Sequence, residues 1–245
     1  MSVQAAASID IVVPVGPRDD SCLGLLKDLS HNGFEGRVFL VFDHEDGKEG
    51  RLAPACLDSF PGLAIHAWFC SGGRARKMNM VGFKPDGQGF LWFLHGDTRL
   101  CARALAAAHQ LAKQGHSKTL YFFDLAFAPP RPRSMWINRT GVDFRAGLLK
   151  IPFGDQGFLM GRELFREVGG FPESVAYGED HVFTWIVRLK GHPLKRIPVR
   201  ILTSSRKYQT QGWGVTTWRH LSKTLVQASP FAWRLAAKKL KWGTF

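Results

Sequence analysis

Five groups of residues in this sequence have types and spacings suited to chemistry. The first is His95-Gly96-Asp97, which follows the apolar run Phe90-Leu91-Trp92-Phe93-Leu94. An imidazole and a carboxylate at the end of a buried strand are two candidate metal ligands at a sheet edge, and Gly96 permits close backbone approach. A hard divalent ion there, Mn²⁺ or Mg²⁺, would bridge a diphosphate. Asp97 and Thr98 would equally suit the cap of a following helix. The second group is Ser71-Gly72-Gly73-Arg74, which precedes a helix. Free backbone N–H groups and the Arg74 guanidinium would meet a phosphate together, unless the segment is an ordinary turn with a solvated arginine. Asn79 falls on the first turns of that helix, placed to cap it or to touch a ligand.

The third group, Glu179-Asp180 after Tyr177-Gly178, sets adjacent carboxylates at a helix start. There the helix dipole favours the ionised form, so Asp180 suits a general base toward an acceptor hydroxyl; plain N-capping is the alternative. In the fourth, Asp155 and Gln156 lie between Gly154 and Gly157, suited to sugar hydroxyls and equally to a tight turn. The fifth, Ser204-Ser205-Arg206-Lys207, would clamp phosphate or form a solvated basic loop.

These groups need a scaffold that brings them together. Ile9 to Val15, Arg37 to Asp43, Leu63 to Phe69 and Phe90 to Leu94 read as strands, rich in β-branched or aromatic residues. Between them Cys22 to Leu29, a weaker stretch at Leu52 to Leu57, and Ala75 to Phe83 have helical character. Such alternation is the signature of an α/β fold, a mostly parallel, Rossmann-like central sheet flanked by helices. Ligands bind beyond the carboxyl ends of such strands, where Pro17-Arg18-Asp19, Asp43-His44-Glu45-Asp46, the Gly72-Gly73 turn and His95-Gly96-Asp97 all fall. The second half offers a helix from Ala102 to Lys113, a strand from Thr119 to Phe127, the breakers Pro129-Pro130-Arg131-Pro132 and a helix from Ser134 to Phe144. A short strand Phe158 to Met160, a helix His181 to Leu189 opened by Glu179-Asp180, a strand through Ile197, Val199 and Ile201, and a helical tail Val215 to Lys241 complete it.

A single domain is expected of 245 residues, a length that buries one sizeable core. With 45% hydrophobic and 22% charged residues the composition is that of a globular chain, not a disordered or membrane-spanning one. The 33 Lys and Arg against 20 Asp and Glu give a formal charge of +13, so nucleic acid, anionic lipid or a phosphorylated substrate are the partner classes to weigh. Cys22, Cys56, Cys70 and Cys101 lie far apart without a C-x-x-C pair, against zinc knuckles or a disulfide framework. No apolar run approaches the ~20 residues that cross a bilayer, and no targeting signal opens the chain, so a cytoplasmic location is expected.

Taken in order, the motifs resemble those of the inverting family 2 glycosyltransferases with a GT-A fold, and more narrowly the small bacterial branch known as selenodomain-associated transferase 2. The resemblance runs from about Ile9 to Lys223. It rests on the Ile11 to Val15 strand, Gly73-Arg74-Ala75 with Met78-Asn79, Phe93 to Arg99, Gly154 to Gly157, Val168-Gly169-Gly170-Phe171-Pro172, Glu179-Asp180 and Thr203-Ser204-Ser205-Arg206. It implies a nucleotide-binding half over 8–100, an acceptor and catalytic half over 101–210, and an amphipathic tail over 211–245. Within these, Pro14, Val15 and Asp43 would lie near the nucleotide base, and Arg74 with Asn79, His95 and Gly96 on the donor. Asp97 would sit on the metal, with Arg206 on phosphate. His95 stands where many relatives carry the first Asp of a D-x-D motif, so either it joins Asp97 on the metal or it contacts ribose or phosphate. Asp180 would be the general base and Glu179 its assistant, with Asp155, Gln156 and Gly157 beside the acceptor and donor sugar.

Two other accounts compete. A nucleotidyltransferase would share the sheet and metal use, but its glycine-rich, lysine-bearing loop is not matched by Gly16-Pro17-Arg18-Asp19-Asp20. A non-catalytic basic module on anionic membrane or nucleic acid would use Trp213, Trp218, Trp233 and Trp242 interleaved with Arg219, Lys223, Arg234, Lys238, Lys239 and Lys241. The same pattern suits a helix with its aromatics on the core. The expected partners are a nucleotide-sugar donor, an acceptor that includes the lipid-linked class, and a membrane surface met by the tail, with no nucleic acid.

Overall fold

Strands form where the apolar runs have both faces to cover. The first hundred residues give β1 (Ile9–Pro14), β2 (Arg37–Phe42), β3 (Ala64–Phe69) and β4 (Phe90–Phe93), and the rest give β5 (Leu120–Phe127), β6 (Phe158–Gly161) and β7 (Leu194–Thr203). The structure, a computed structural model, describes residues 8–16, 20–43, 59–128, 151–175 and 177–204, with Phe231 and Trp233 besides. The helices predicted at Leu52 to Leu57 and Ser134 to Phe144 lie outside the described residues, as does the tail apart from those two.

The strands make one seven-stranded sheet in the order β3-β2-β1-β4-β6-β5-β7. β1 pairs in parallel with β2 and β4, β2 with β3, and β5 with β7, while β6 runs antiparallel to both its neighbours. Every strand but β6 therefore ends at the same edge, and β6 begins there. The predicted class, a mostly parallel sheet flanked by helices, is the one the chain adopts.

Alternation along the strands feeds two apolar layers. Ile11, Val13, Trp92 and Phe123 face α1 (Cys22–His31) and α3 (Ala102–Gln114), which bury Leu25, Leu26 and Leu29, and Ala104, Leu105 and Ala108. Val12, Leu91 and Phe93 face the opposite layer with α2 (Arg74–Gly82), α4 (Arg162–Val168) and α5 (Glu179–Leu189), which bring Met78, Val81, Leu164, Phe165, Phe183 and Val187. Full burial of each such large side chain contributes about 1.5–3 kcal/mol. α4 was not expected from the sequence: seven residues give too little periodicity to register.

One charge interrupts β1. Asp10 is fully buried and accepts from Arg37 at 2.7 and 2.8 Å and from Arg162. Arg162 also donates to the carbonyls of Val81 (2.6 Å) and Gly82 (2.8 Å), which end α2. This ionic knot sits at the amino edge of the sheet. Among the described residues no helix is long and apolar enough to cross a membrane.

Candidate active site

β1 lies between β2 and β4, so the chain departs from β1 in both directions and leaves a crevice at their carboxyl ends. Val15 continues β1 by donating to the Val41 carbonyl at 2.9 Å, and Leu94 continues β4 by donating to that of Val12 at 3.1 Å. Pro14 is half-buried at this rim. Lys77 of α2, itself buried, donates to the Val15 carbonyl and to Asp43 Oδ2, both at 2.7 Å, and so ties the ends of β1 and β2. Lys77 was not among the residues singled out from the sequence. The available signal was its spacing with Arg74, Met78 and Val81, which puts it on the inward stripe of the helix.

His95 follows β4 and is partly exposed; its Nε2 meets the Arg74 Nη2 group. Gly96 allows a close approach, but of helix α1: a Cβ there would lie 3.1 Å from Ser21 Oγ and 3.6 Å from the Cys22 nitrogen. Asp97 Oδ2 accepts from Thr203 Oγ1 and the Ser204 N–H, both at 3.2 Å, so the end of β7 fixes it. It does not cap α3, whose N-cap is Cys101.

The register of β6 completes the cluster. Phe158 stands opposite Phe93, so the 3₁₀ turn Gly154–Gln156 before β6 arrives beside the end of β4. Gly178, at φ +75°, opens α5 and sets Glu179 and Asp180 in its first turn. Glu179 lies 3.3 Å from Arg74. Asp180 Oδ2 accepts the Gly154 N–H at 2.6 Å, and Oδ1 accepts the His181 N–H at 2.8 Å. Burial pushes the Asp180 carboxyl up, but Arg74, the Gly154 N–H, His95 and the His181 N–H together hold it below its ordinary value. Gly154 is required here: a Cβ would sit 2.8 Å from Asp180 Oδ2 and 2.9 Å from Arg74 Nη2. The Tyr177 hydroxyl is raised by partial burial and by the neighbouring Asp180, Glu179 and Asp155 carboxylates.

Two predicted ligand contacts are spent on the protein itself. Asn79 is buried and clamps Phe171 through its carbonyl and N–H, both at 2.8 Å, and donates to Glu173 at 2.9 Å. Gln156 is buried, donates to the Phe123 carbonyl at 3.0 Å and accepts from the Phe153 N–H at 3.2 Å. Their amides hold turns rather than face the cleft, because each finds distant backbone that no local pattern reveals. Asp155 is partly buried in the same turn, and Gly157, at φ +64°, packs against Leu94, Trp92 and Ile201. Arg206 lies outside the described residues.

Asp97 offers a hard oxygen of the kind Mg²⁺ or Mn²⁺ takes, whereas His95 Nε2 already meets Arg74. Among the described residues no three of His, Cys, Asp and Glu gather to hold a metal by themselves. The donor set thus suits an ion that draws its remaining ligands from phosphate and water.

This sheet order, with a polar cleft at its carboxyl edge, is the GT-A fold of glycosyltransferases. Among solved structures the chain superimposes on the mannosyltransferase PcManGT from Pyrobaculum calidifontis in complex with GDP-Man and Mn²⁺, at TM-score 0.68 and 16% identity over 93% of this chain and 65% of that one. It also matches S. aureus TarS 1-349, at TM-score 0.61 and 16% identity over 82% of this chain and 61% of that one. GalNAc-T7 with UDP, GalNAc and Mn²⁺ matches at TM-score 0.57 and 12% identity, over 82% of this chain and 44% of that one. The chain spans less than two thirds of the length of each, and at these identities what is shared is the fold. No protein-family model and no curated protein matches the sequence.

Proposed function

We propose that this chain is an inverting glycosyltransferase of the family 2 type, moving a sugar from a nucleotide-sugar donor to an acceptor hydroxyl. The observation that carries the reading is Asp180, a carboxylate held ionised at a cleft whose other wall is Arg74 and His95. The neighbouring folds, one bound to GDP-Man and Mn²⁺ and one to UDP, GalNAc and Mn²⁺, support a donor of this class. Pro14, Val15 and Asp43 would border the base, with Lys77 keeping the two strand ends in register. His95 would contact ribose or phosphate. Asp97 would be the protein's ligand to Mn²⁺ or Mg²⁺, and what such an ion supplies is positive charge against the leaving diphosphate.

In the transfer the acceptor oxygen bonds to the anomeric carbon from the face opposite the diphosphate. Its proton passes to Asp180, and the bond between the anomeric carbon and the diphosphate oxygen breaks with its electron pair on the diphosphate. Arg74 meets that charge, and Glu179, bound to Arg74, orients the acceptor. The tail from 211 would give peripheral membrane contact; of it, Trp233 exposes 77% of its surface.

The test is a screen of UDP-, GDP- and dTDP-sugars with and without Mn²⁺, read by thermal shift and by sugar release, since a ligand of the folded state raises its stability. Binding of none of them sinks the reading. Asp180→Asn is expected to lose about 10²–10⁴-fold in turnover with donor binding kept. Asp97→Ala is expected to lose the Mn²⁺-dependent part of the shift.

A further inference from the structure

Helix α5 carries Asp180 in its first turn and two different stripes of side chains behind it. Phe183 and Val187 pack into the apolar layer on the sheet. His181, Trp185 and Arg188 follow one another at spacings of four and three, so they share another stripe of the helix. On that stripe the Trp185 indole N–H donates to His181 Nε2 at 2.9 Å, and both side chains are buried. The Phe153 ring meets the His181 ring edge to face, with centroids 5.2 Å apart. At the other end Phe231, from the tail of the chain, stacks on Trp185 with centroids 6.2 Å apart and the ring planes at 14°. The Arg188 guanidinium lies 4.8 Å from the centre of the Trp185 ring. One row of rings therefore runs from Phe231 through Trp185 and His181 to Phe153.

We infer that this row is a buttress for Asp180, and that His181, Trp185 and Phe231 are positioning residues for the transfer. The inference rests on the reading of Asp180 as the base. The two carboxylate oxygens of Asp180 are held by two backbone N–H groups, of Gly154 at 2.6 Å and of His181 at 2.8 Å. One of these donors belongs to a residue of the row, and the other directly follows Phe153. Contact between the Phe153 and His181 rings thus sets the separation of the two donors, and with it the aim of the carboxylate. Gly154–Gln156 is a single 3₁₀ turn, so its place relative to α5 depends on such contacts. The buried Thr184 adds another, since its hydroxyl reaches the carbonyls of Pro152 at 3.1 Å and Asp180 at 3.0 Å. Aromatic pairs prefer particular geometries, so a ring lying between two others has little freedom to turn. Phe231 closes the outer end of the row, while Trp233, two residues on, exposes 77% of its surface. The tail at this point seats one aromatic on α5, and that makes it part of the site.

Phe231→Ala, Phe231→Tyr and Trp185→Phe in the full chain are the test; the last keeps a ring but loses the N–H to His181. Amide hydrogen exchange is followed at Gly154 and His181, with Val13 and Trp92 of the central strands as the reference. Binding and hydrolysis of UDP-, GDP- and dTDP-sugars with Mn²⁺ are measured alongside. In Phe231→Ala and Trp185→Phe the Gly154 and His181 amides should lose protection while the strand amides keep theirs. In both, kcat should fall by about tenfold or more at unchanged donor affinity, since an ångström of misplacement can cost about 10²-fold. Phe231→Tyr, which keeps the stacked ring, should behave as the wild type does. Unchanged exchange at Gly154 and His181, or a loss of protection shared with the strand amides, overturns the buttress. Loosened amides with an undiminished kcat overturn the positioning role. A wild-type protein that binds none of the nucleotide sugars sinks the transfer reading instead, and the exchange result then still decides whether the row holds Asp180.

Discussion

Asp180 is poised by opposing effects on one carboxylate. Burial favours its protonated form, yet Arg74 is the largest of the influences that outweigh burial, and the folded value lies below the ordinary 3.8. A carboxyl with a depressed folded value adds stability above pH 3.8, and that stability is lost as pH falls through the folded value, because the unfolded chain binds the proton first. Arg74→Gln removes the largest lowering influence. The acid limb of the kcat/KM profile should then move to higher pH, and acid unfolding should begin at higher pH. A limb that stays in place, with only its height reduced, would mean that Arg74 serves the donor and not Asp180. Arg74, His95, Asp97 and Asp180 were all legible in the sequence, since each is a reactive type at a strand end or helix start. Lys77, Asn79 and Gln156 were not. Their roles depend on partners such as Asp43, Phe171 and Phe123, which lie 33 to 92 residues away in the chain.

At the scale of elements, the reversed strand β6 brings the two halves of the cleft together. Alternating strands and helices made the parallel part of the sheet visible beforehand, but nothing in Phe158 to Gly161 reveals its direction, because a four-residue apolar run fits either. Its direction decides that Gly154 and Gly157 reach the carboxyl edge, and the two glycines do different things there. Gly157 sits at φ +64° with Leu94, Trp92 and Ile201 at 3.0–3.2 Å from where a Cβ would be. Gly157→Ala should therefore cost about 1–2 kcal/mol for the left-handed backbone alone, seen as a lowered unfolding midpoint. Gly154→Ala instead pushes a methyl against Asp180 and Arg74. Misplacing such groups by an ångström can cost about 10²-fold in rate, so its turnover should fall steeply with little loss of stability. Equal losses of stability in both variants would contradict this division.

For the whole molecule, the sheet separates a buried ionic knot from the candidate site. The candidate cluster occupies the carboxyl edge, while Asp10, Arg37 and Arg162 form the buried knot at the amino edge, joining β1 and β2 to the end of α2 and the start of α4. Asp10 looks out of place in an apolar strand, and its answering charge, Arg162, lies 152 residues away. Removing one partner of a buried pair leaves the other uncompensated, at about 3–5 kcal/mol. Asp10→Ala strands Arg162, whose side chain is only 2% exposed, whereas Arg37 at 34% can turn to water. Urea unfolding should show Asp10→Ala losing about that amount and Arg37→Ala about 1 kcal/mol or less. Because the knot lies across the sheet from Asp180, Asp10→Ala kept cold and without denaturant should retain nucleotide-sugar turnover per folded molecule. A drop in turnover beyond the folded fraction would mean that the amino-edge knot also sets the geometry of the cleft.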